Sequence, residues 1–250
     1  MIIEYHRPET VEDALNLLGR STPITVPMGG GTTLSQPSRK NIAVVDLINL
    51  GLNYININDD QISIGATTTL QQIYENKEIP SYFRDGVKRE TNLHIRNTAT
   101  LGGTLIRSHG QSLISTCLLA SDAQMTWLPG CKDIAYYDWL ITADRKYFGL
   151  LITQVTISSE VDVRWETIER TPGDVPSLIV AAGFWKNGRV RLAMGGATKM
   201  PFLVSEGYIP PEKAKQFIQS AHSQYIASKL DHEYLLSISD FLIKRLYKDE

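Results

Sequence analysis

The chain has 250 residues, Lys+Arg 25 against Asp+Glu 27, a formal net charge of -2, 42% hydrophobic residues and two cysteines. That length accommodates one large domain or two modest ones with a substantial core, and Gly 18 with Pro 11 is ordinary globular usage. The charge balance argues against a protein whose main task is to grip nucleic acid or an anionic membrane, and Cys117 and Cys131 are too few for a disulfide framework or a cysteine-ligated iron–sulfur cluster.

The N-terminus, Met1-Ile2-Ile3-Glu4-Tyr5-His6-Arg7-Pro8, lacks a basic region followed by an apolar stretch. The longest apolar run, about Leu178 to Trp185, is far below the roughly 20 residues that span a bilayer. A soluble, cytoplasmic protein with no membrane span is expected.

In chain order, a short strand leads into a helix whose start, Thr10-Val11-Glu12-Asp13, resembles a capping box with Asp in place of Glu. Val11, Ala14, Leu15 and Leu18 share one helical face, and Gly19 ends it. Ile24-Thr25-Val26-Pro27 runs extended into a triglycine segment, and residues 42–47 form a second apolar strand. This alternation predicts a small α/β unit over residues 1–52. Residues 54–57 and 61–64 alternate around Asn58-Asp59-Asp60 as a hairpin does. A short helix over Leu70–Glu75, a helix near 80–90 and an apolar helix near Ser112–Ala120 follow, and Ala123–Ile157 reads as strands and turns. Cys117 in that apolar helix reads as a buried small hydrophobe. After Glu160, three strands (165–170, 177–185, 190–194) with an Asn187-Gly188 turn precede helical signals at Ala214, Phe217, Ile218 and Ala221, then at Tyr234, Ile238, Phe241, Leu242 and Leu246. The fold class is α+β.

The chemistry is sparse. His6, His94, His109, His222 and His232 have no metal-ligand spacing, and no G-x-S-x-G elbow is present, so metal and nucleophilic hydrolytic sites are not expected. The aromatic residues Tyr147, Phe148 and Trp185 read as core. Two glycine clusters remain: Gly29-Gly30-Gly31-Thr32-Thr33 after a strand, and Gly102-Gly103-Thr104 after an extended Thr-Ala-Thr-Leu. Backbone without Cβ lets amides approach a phosphate, and two such clusters edged by hydroxyls suit a ligand with two phosphates. Neither is a Walker loop, and neither matches a Rossmann fingerprint.

Four ordered motifs carry a more specific resemblance: Tyr5-His6-Arg7-Pro8 with its leucine-rich helix, Met28-Gly29-Gly30-Gly31-Thr32-Thr33-Leu34, Ile64-Gly65-Ala66-Thr67-Thr68-Thr69-Leu70, and Ile95-Arg96-Asn97 running through Thr100-Leu101-Gly102-Gly103-Thr104. Together with residues 189–197 they resemble the FAD-binding medium subunit of molybdenum hydroxylases, the family of the xanthine dehydrogenase and carbon monoxide dehydrogenase flavoproteins. The resemblance implies a PCMH-type FAD-binding domain over 1–160, with subdomains 1–52 and 53–160. A C-terminal α+β domain over 161–250, a three-stranded antiparallel sheet with helices, would follow it.

By that resemblance Gly29, Gly30, Gly31, Thr32, Thr33 and Leu34 would form the first diphosphate loop. Thr100, Gly102, Gly103 and Thr104 would form the second, with Arg107 and His109 adding positive charge. Relatives often carry Asp at Thr33, Asn at Thr104 and Asp at Leu113. The implied role is transfer of electrons through FAD to NAD+ or another acceptor, beside a molybdopterin-binding large subunit and a 2Fe-2S small subunit. Two alternatives stay open. One is a structural subunit of such a complex that binds flavin weakly or not at all, motivated by Thr104 and Leu113. The other is a stand-alone reductase of the UDP-N-acetylenolpyruvoylglucosamine reductase type, which the Tyr-x-Arg-Pro start fits poorly.

Overall fold

The structure is a computed structural model in which residues 1–36, 40–142, 149–171, 173–196, 198–207, 216, 219 and 232–247 are described. The chain forms two compact units. The first comprises Met1–Ile79, Thr91–Arg107 and Gln124–Ile157; the second comprises Pro80–Glu90, Ser108–Ala123 and Ser158–Glu250. Two stretches well before residue 160 thus belong with the C-terminal residues.

The first unit opens with strands β1 (Ile2–His6), β2 (Thr25–Met28) and β3 (Ile42–Asp46) in an all-parallel sheet ordered β1-β3-β2, as the α/β reading of residues 1–52 expects. Helix α1 (Val11–Leu18) crosses between β1 and β2. The Thr10 hydroxyl oxygen accepts from the Asp13 amide at 3.1 Å, which supplies the start. Ala14 and Leu18 pack with Val45, Leu47, Leu50 and Leu52.

A second sheet in this unit contains β4 (Ile55–Ile57), β5 (Gln61–Gly65), β6 (Gln124–Leu128), β7 (Lys132–Ala135) and β8 (Leu151–Ser158), ordered β4-β5-β8-β6-β7. Helix α2 (Leu70–Glu75) begins with a complete capping box between Thr69 and Gln72. One element departs from expectation: within the stretch read as strands and turns, Tyr136–Ile141 is a helix, α7, that buries Tyr136, Trp139 and Leu140.

The second unit is a four-stranded antiparallel sheet ordered β12-β11-β10-β9, from β9 (Asp162–Ile168), β10 (Leu178–Phe184), β11 (Val190–Gly196) and β12 (Phe202–Glu206). The fourth strand, β12, goes beyond the three expected. Helix α8 (His232–Leu246) covers one face through Leu236, Leu242, Ile243 and Leu246, against Leu178, Val180, Ala182 and Phe184. Its Tyr234 and Phe241, read as part of the helical signal, are exposed.

Helices α3 (Ser81–Glu90) and α6 (Leu113–Ala120) belong to this unit, and Leu113 and Cys117 of α6 pack with Ile179 of β10. Strand β10 is therefore apolar throughout, because helices cover both of its faces. The expected helical positions Ala214, Phe217, Ile218 and Ala221 lie outside the described residues, as do Tyr147, Phe148 and His222.

Candidate functional site

Ligands of parallel α/β sheets gather beyond the carboxyl ends of the strands. In the first unit that edge carries Met28, Asp46 and His6, and the triglycine segment leaves from Met28. Asp46 is buried at this edge. Its carboxylate accepts from the Tyr5 hydroxyl, from Arg7 Nε at 3.1 Å and from the Ile48 amide at 3.1 Å. Hydrogen bonding to Tyr5 and to the Asp46 carboxylate raises the pKa of the Arg7 guanidinium. The Tyr-x-Arg-Pro motif is thus the rim of the sheet, tied to an acid that sequence reading had not singled out; a charged residue closing the apolar run Val44-Val45 was the available signal.

Beyond Met28 the chain turns. The Ser35 amide and hydroxyl both donate to the Gly31 carbonyl, at 3.0 and 2.7 Å, and the Gln36 amide donates to the Thr33 carbonyl at 3.1 Å. Gly31 has φ +67, a left-handed conformation that L side chains rarely adopt. Among the described residues, none of the amides from Gly29 to Leu34 donates to a protein acceptor, and the Thr32 and Thr33 hydroxyls make no hydrogen bond. All these residues are half-buried. Buried backbone donors are rarely left unpaired, and successive amides around a left-handed residue form a concavity that binds anions.

The second glycine motif is different. It is not a loop: Gly102, Gly103 and Thr104 form the first turn of helix α5 (Leu101–Ile106), with Thr100 as its N-cap. Its amides are engaged within the protein. Leu101 donates to the Thr68 carbonyl, Gly102 to the Ala66 carbonyl and Thr104 to the Thr100 carbonyl, each at 2.9 Å. Gly103 donates to Thr100 Oγ1 at 3.3 Å, and the Thr104 hydroxyl donates to the Thr100 carbonyl at 2.9 Å. Gly102 has no Cβ because one would sit 3.0 Å from both the Cβ and the carbonyl oxygen of Ala66. The Thr100 hydroxyl keeps its own proton for another acceptor.

The two motifs meet in space. A Cβ on Gly30 would overlap the Thr98 carbonyl, and one on Gly29 would lie 2.5 Å from Thr100 Oγ1. Short helix α4 (Leu93–Arg96) precedes this contact and is fixed by its Asn92 cap and by Arg96. Arg96 donates to the Thr91 carbonyl at 2.7 Å and to Gln71 at 3.1 Å. Thr98, which sequence reading did not propose, is what makes glycine necessary at position 30.

The remaining sequence-proposed residues do not join this cluster. Arg107 is exposed at the C-cap of α5. His109 falls in the second unit, exposed, with Nδ1 accepting from the Gln111 amide at 3.2 Å. Leu113 is a core residue at the start of α6, 2% exposed. A carboxylate does serve that helix start: Glu90 of α3 accepts from the Ile114 amide at 3.1 Å, and from Ser112 and Leu113. Burial pushes the Glu90 carboxyl up, partly offset by those donors and by His109. Burial likewise raises the Cys117 thiol, so it is inert packing. Among the described residues no group of three or more His, Cys, Asp or Glu is placed to hold a metal ion, and no helix is long and apolar enough to cross a membrane.

The chain has relatives among known proteins. Residues 1–157 match the family model "FAD binding domain in molybdopterin dehydrogenase". The chain belongs to that family: it is an FAD-dependent oxidoreductase subunit, and its cofactor is FAD. It is 28% identical over 201 residues to the uncharacterized protein YgfM of Escherichia coli K12, covering 78% of this chain and 75% of that one. It is 24% identical over 221 residues to the glyceraldehyde dehydrogenase medium chain of Sulfolobus acidocaldarius, covering 81% and 78%. Its fold superposes on a chain of the CO dehydrogenase of Oligotropha carboxidovorans with TM-score 0.76 at 20% identity, over 97% of this chain and 95% of the other. The residues present fit the cofactor. A diphosphate needs several donors and tolerates little side-chain bulk, and the half-buried amides of Gly29–Leu34 provide both conditions.

Proposed function

We propose that this chain is the flavin-carrying medium subunit of a molybdenum hydroxylase complex. In this reading it takes electrons from the 2Fe-2S centres of a small partner subunit and passes them to NAD+ or another acceptor, while a molybdopterin-binding large subunit oxidises the substrate. The observation that carries the reading is the row of amides from Gly29 to Leu34, without a protein acceptor among the described residues, at the carboxyl edge of a parallel sheet. The chain's two cysteines support the need for a cluster-bearing partner, since they are too few to ligate a 2Fe-2S centre.

Bound FAD supplies a carrier that accepts and releases electrons; the protein binds, orients and shields it. The amides of Gly29, Gly30, Gly31, Thr32, Thr33 and Leu34 donate to the diphosphate, helped by the Thr32, Thr33 and Thr100 hydroxyls. Gly102, Gly103 and Thr104 act from behind, as the capped turn that holds Thr100 in place. Arg107 adds positive charge at the end of α5, and the assignment of His109 to the cofactor rests on the family resemblance alone.

The test is the visible spectrum of the purified chain, followed by assembly. Yellow protein that releases FAD on heating, or colourless protein that takes up added FAD, supports the reading. Protein that neither contains nor binds FAD sinks it. Co-purification with molybdopterin and 2Fe-2S subunits, and reduction of NAD+ by the assembled complex, test the electron route separately.

A further inference from the structure

Helix α4 presents exposed apolar side chains on the segment that leads to the contact with Gly30. Its backbone is held rigidly: the Ile95 carbonyl accepts from the Thr98 amide at 3.0 Å and from the Ala99 amide at 2.7 Å. The Ile95 amide itself donates to the Asn92 side chain at 3.0 Å, and Arg96 is tied to Thr91 and Gln71, with its guanidinium over the Tyr74 ring at 5.4 Å. Yet Ile95 is 39% exposed and Leu93 is 50% exposed. A β-branched apolar side chain on a fixed turn gains nothing from water, and the turn leads within three residues to the Thr98 carbonyl that abuts Gly30.

We propose that Ile95 is the apolar contact for the flat ring system of the bound cofactor, so that the first unit grips the dinucleotide at two points: amides on the diphosphate and Ile95 on the ring. This inference rests on the FAD-binding reading above. The ring of a flavin dinucleotide lies one short sugar-alcohol chain from the diphosphate, the second residue of the amide row, Gly30, abuts the Thr98 carbonyl, and Ile95 is joined to Thr98 by a backbone hydrogen bond. Apolar ring surface needs an apolar partner, and a rigid one loses little entropy on binding. Leu93, two residues earlier on a helix, points to a different side and is not assigned this contact.

The experiment compares FAD with ADP, which carries the diphosphate and adenosine but no ring, by calorimetric titration of the full chain after its flavin has been removed. Ile95→Ser is expected to weaken FAD about five- to tenfold and leave ADP within about twofold, and Ile95→Val to restore most of the FAD affinity. Iodide quenching of the bound flavin's fluorescence is expected to increase in Ile95→Ser, because the ring loses cover. Wild-type chain that binds FAD, with Ile95→Ser weakening FAD and ADP equally or weakening neither, overturns the ring contact while leaving the binding reading intact. Wild-type chain that binds neither ligand overturns both readings.

Discussion

The two glycine motifs are alike in sequence and opposite in use. Gly29-Gly30-Gly31 leaves a run of amides with no protein acceptor among the described residues, whereas Leu101-Gly102-Gly103-Thr104 engages its amides on Thr68, Ala66 and Thr100. Glycine in the first is needed for a left-handed turn and for close approach to Thr98 and Thr100; glycine at 102 is needed for packing on Ala66. The start of α6 offers a third case. Its amides are satisfied by Ser112 and by a carboxylate brought from α3, Glu90. Open backbone donors, then, mark one of three superficially similar chain segments, and glycine content alone does not pick it out.

The largest effect is expected from Gly30→Val, whose Cβ overlaps the Thr98 carbonyl. FAD content after purification should fall at least about a hundredfold, because neither backbone can yield without dissolving the contact between the motifs. Retained flavin in this variant breaks the comparison at its base. Next is Glu90→Ala, which leaves the Ile114 and Leu113 amides without acceptors. Stability measured by thermal or urea unfolding should drop by on the order of 3 kcal/mol, with Glu90→Gln closer to wild type because it keeps an acceptor.

Gly102→Ala sharpens the contrast. Its methyl presses on Ala66 at 3.0 Å, so unfolding stability should fall by about 1–2 kcal/mol. The FAD affinity of the folded protein should stay within about threefold. A large loss of FAD affinity at unchanged stability would return the second motif to the ligand-contacting class.

The smallest effect is a pH slope. The Glu90 carboxyl titrates higher folded than unfolded, so the folded state holds its proton more tightly. Its contribution is full below the ordinary carboxylic range and is lost as pH rises through the folded value. The stability of wild type relative to Glu90→Gln should accordingly decline as pH is raised above about 4.5, and a flat difference refutes the burial account.

Much of the fold was legible. The parallel βαβ unit, α2, α3 and α6, and three of the four strands of the C-terminal sheet follow from periodicity and caps, because their stability is local or lies in a continuous apolar run. The misses have physical causes. Tyr136-Tyr137-Asp138-Trp139-Leu140-Ile141 is rich in residues favoured in strands, and only the burial of Tyr136, Trp139 and Leu140 at helical spacing decides for a helix. Gly102-Gly103 reads as a turn because glycine costs a helix roughly 1 kcal/mol each, a penalty that the Thr100 cap and the carbonyls of Ala66 and Thr68 offset. The site was legible as a set of names and not as a division of labour, since amide partners distant in sequence leave no local trace. Likewise Leu113 looked like a lost acid, while the carboxylate serving that helix start sits 23 residues earlier, at Glu90.

The contact between Gly30 and Thr98 has one more consequence. The shape of the triglycine turn is set by a carbonyl far downstream, so a fragment that stops anywhere before Thr98 keeps every glycine of the first motif and lacks the wall that moulds it. Any attempt to minimise this chain to its N-terminal βαβ unit would therefore yield the right letters in the wrong conformation. The smallest transplantable cradle is a discontinuous one, drawn from residues 24–36 and 91–107 together.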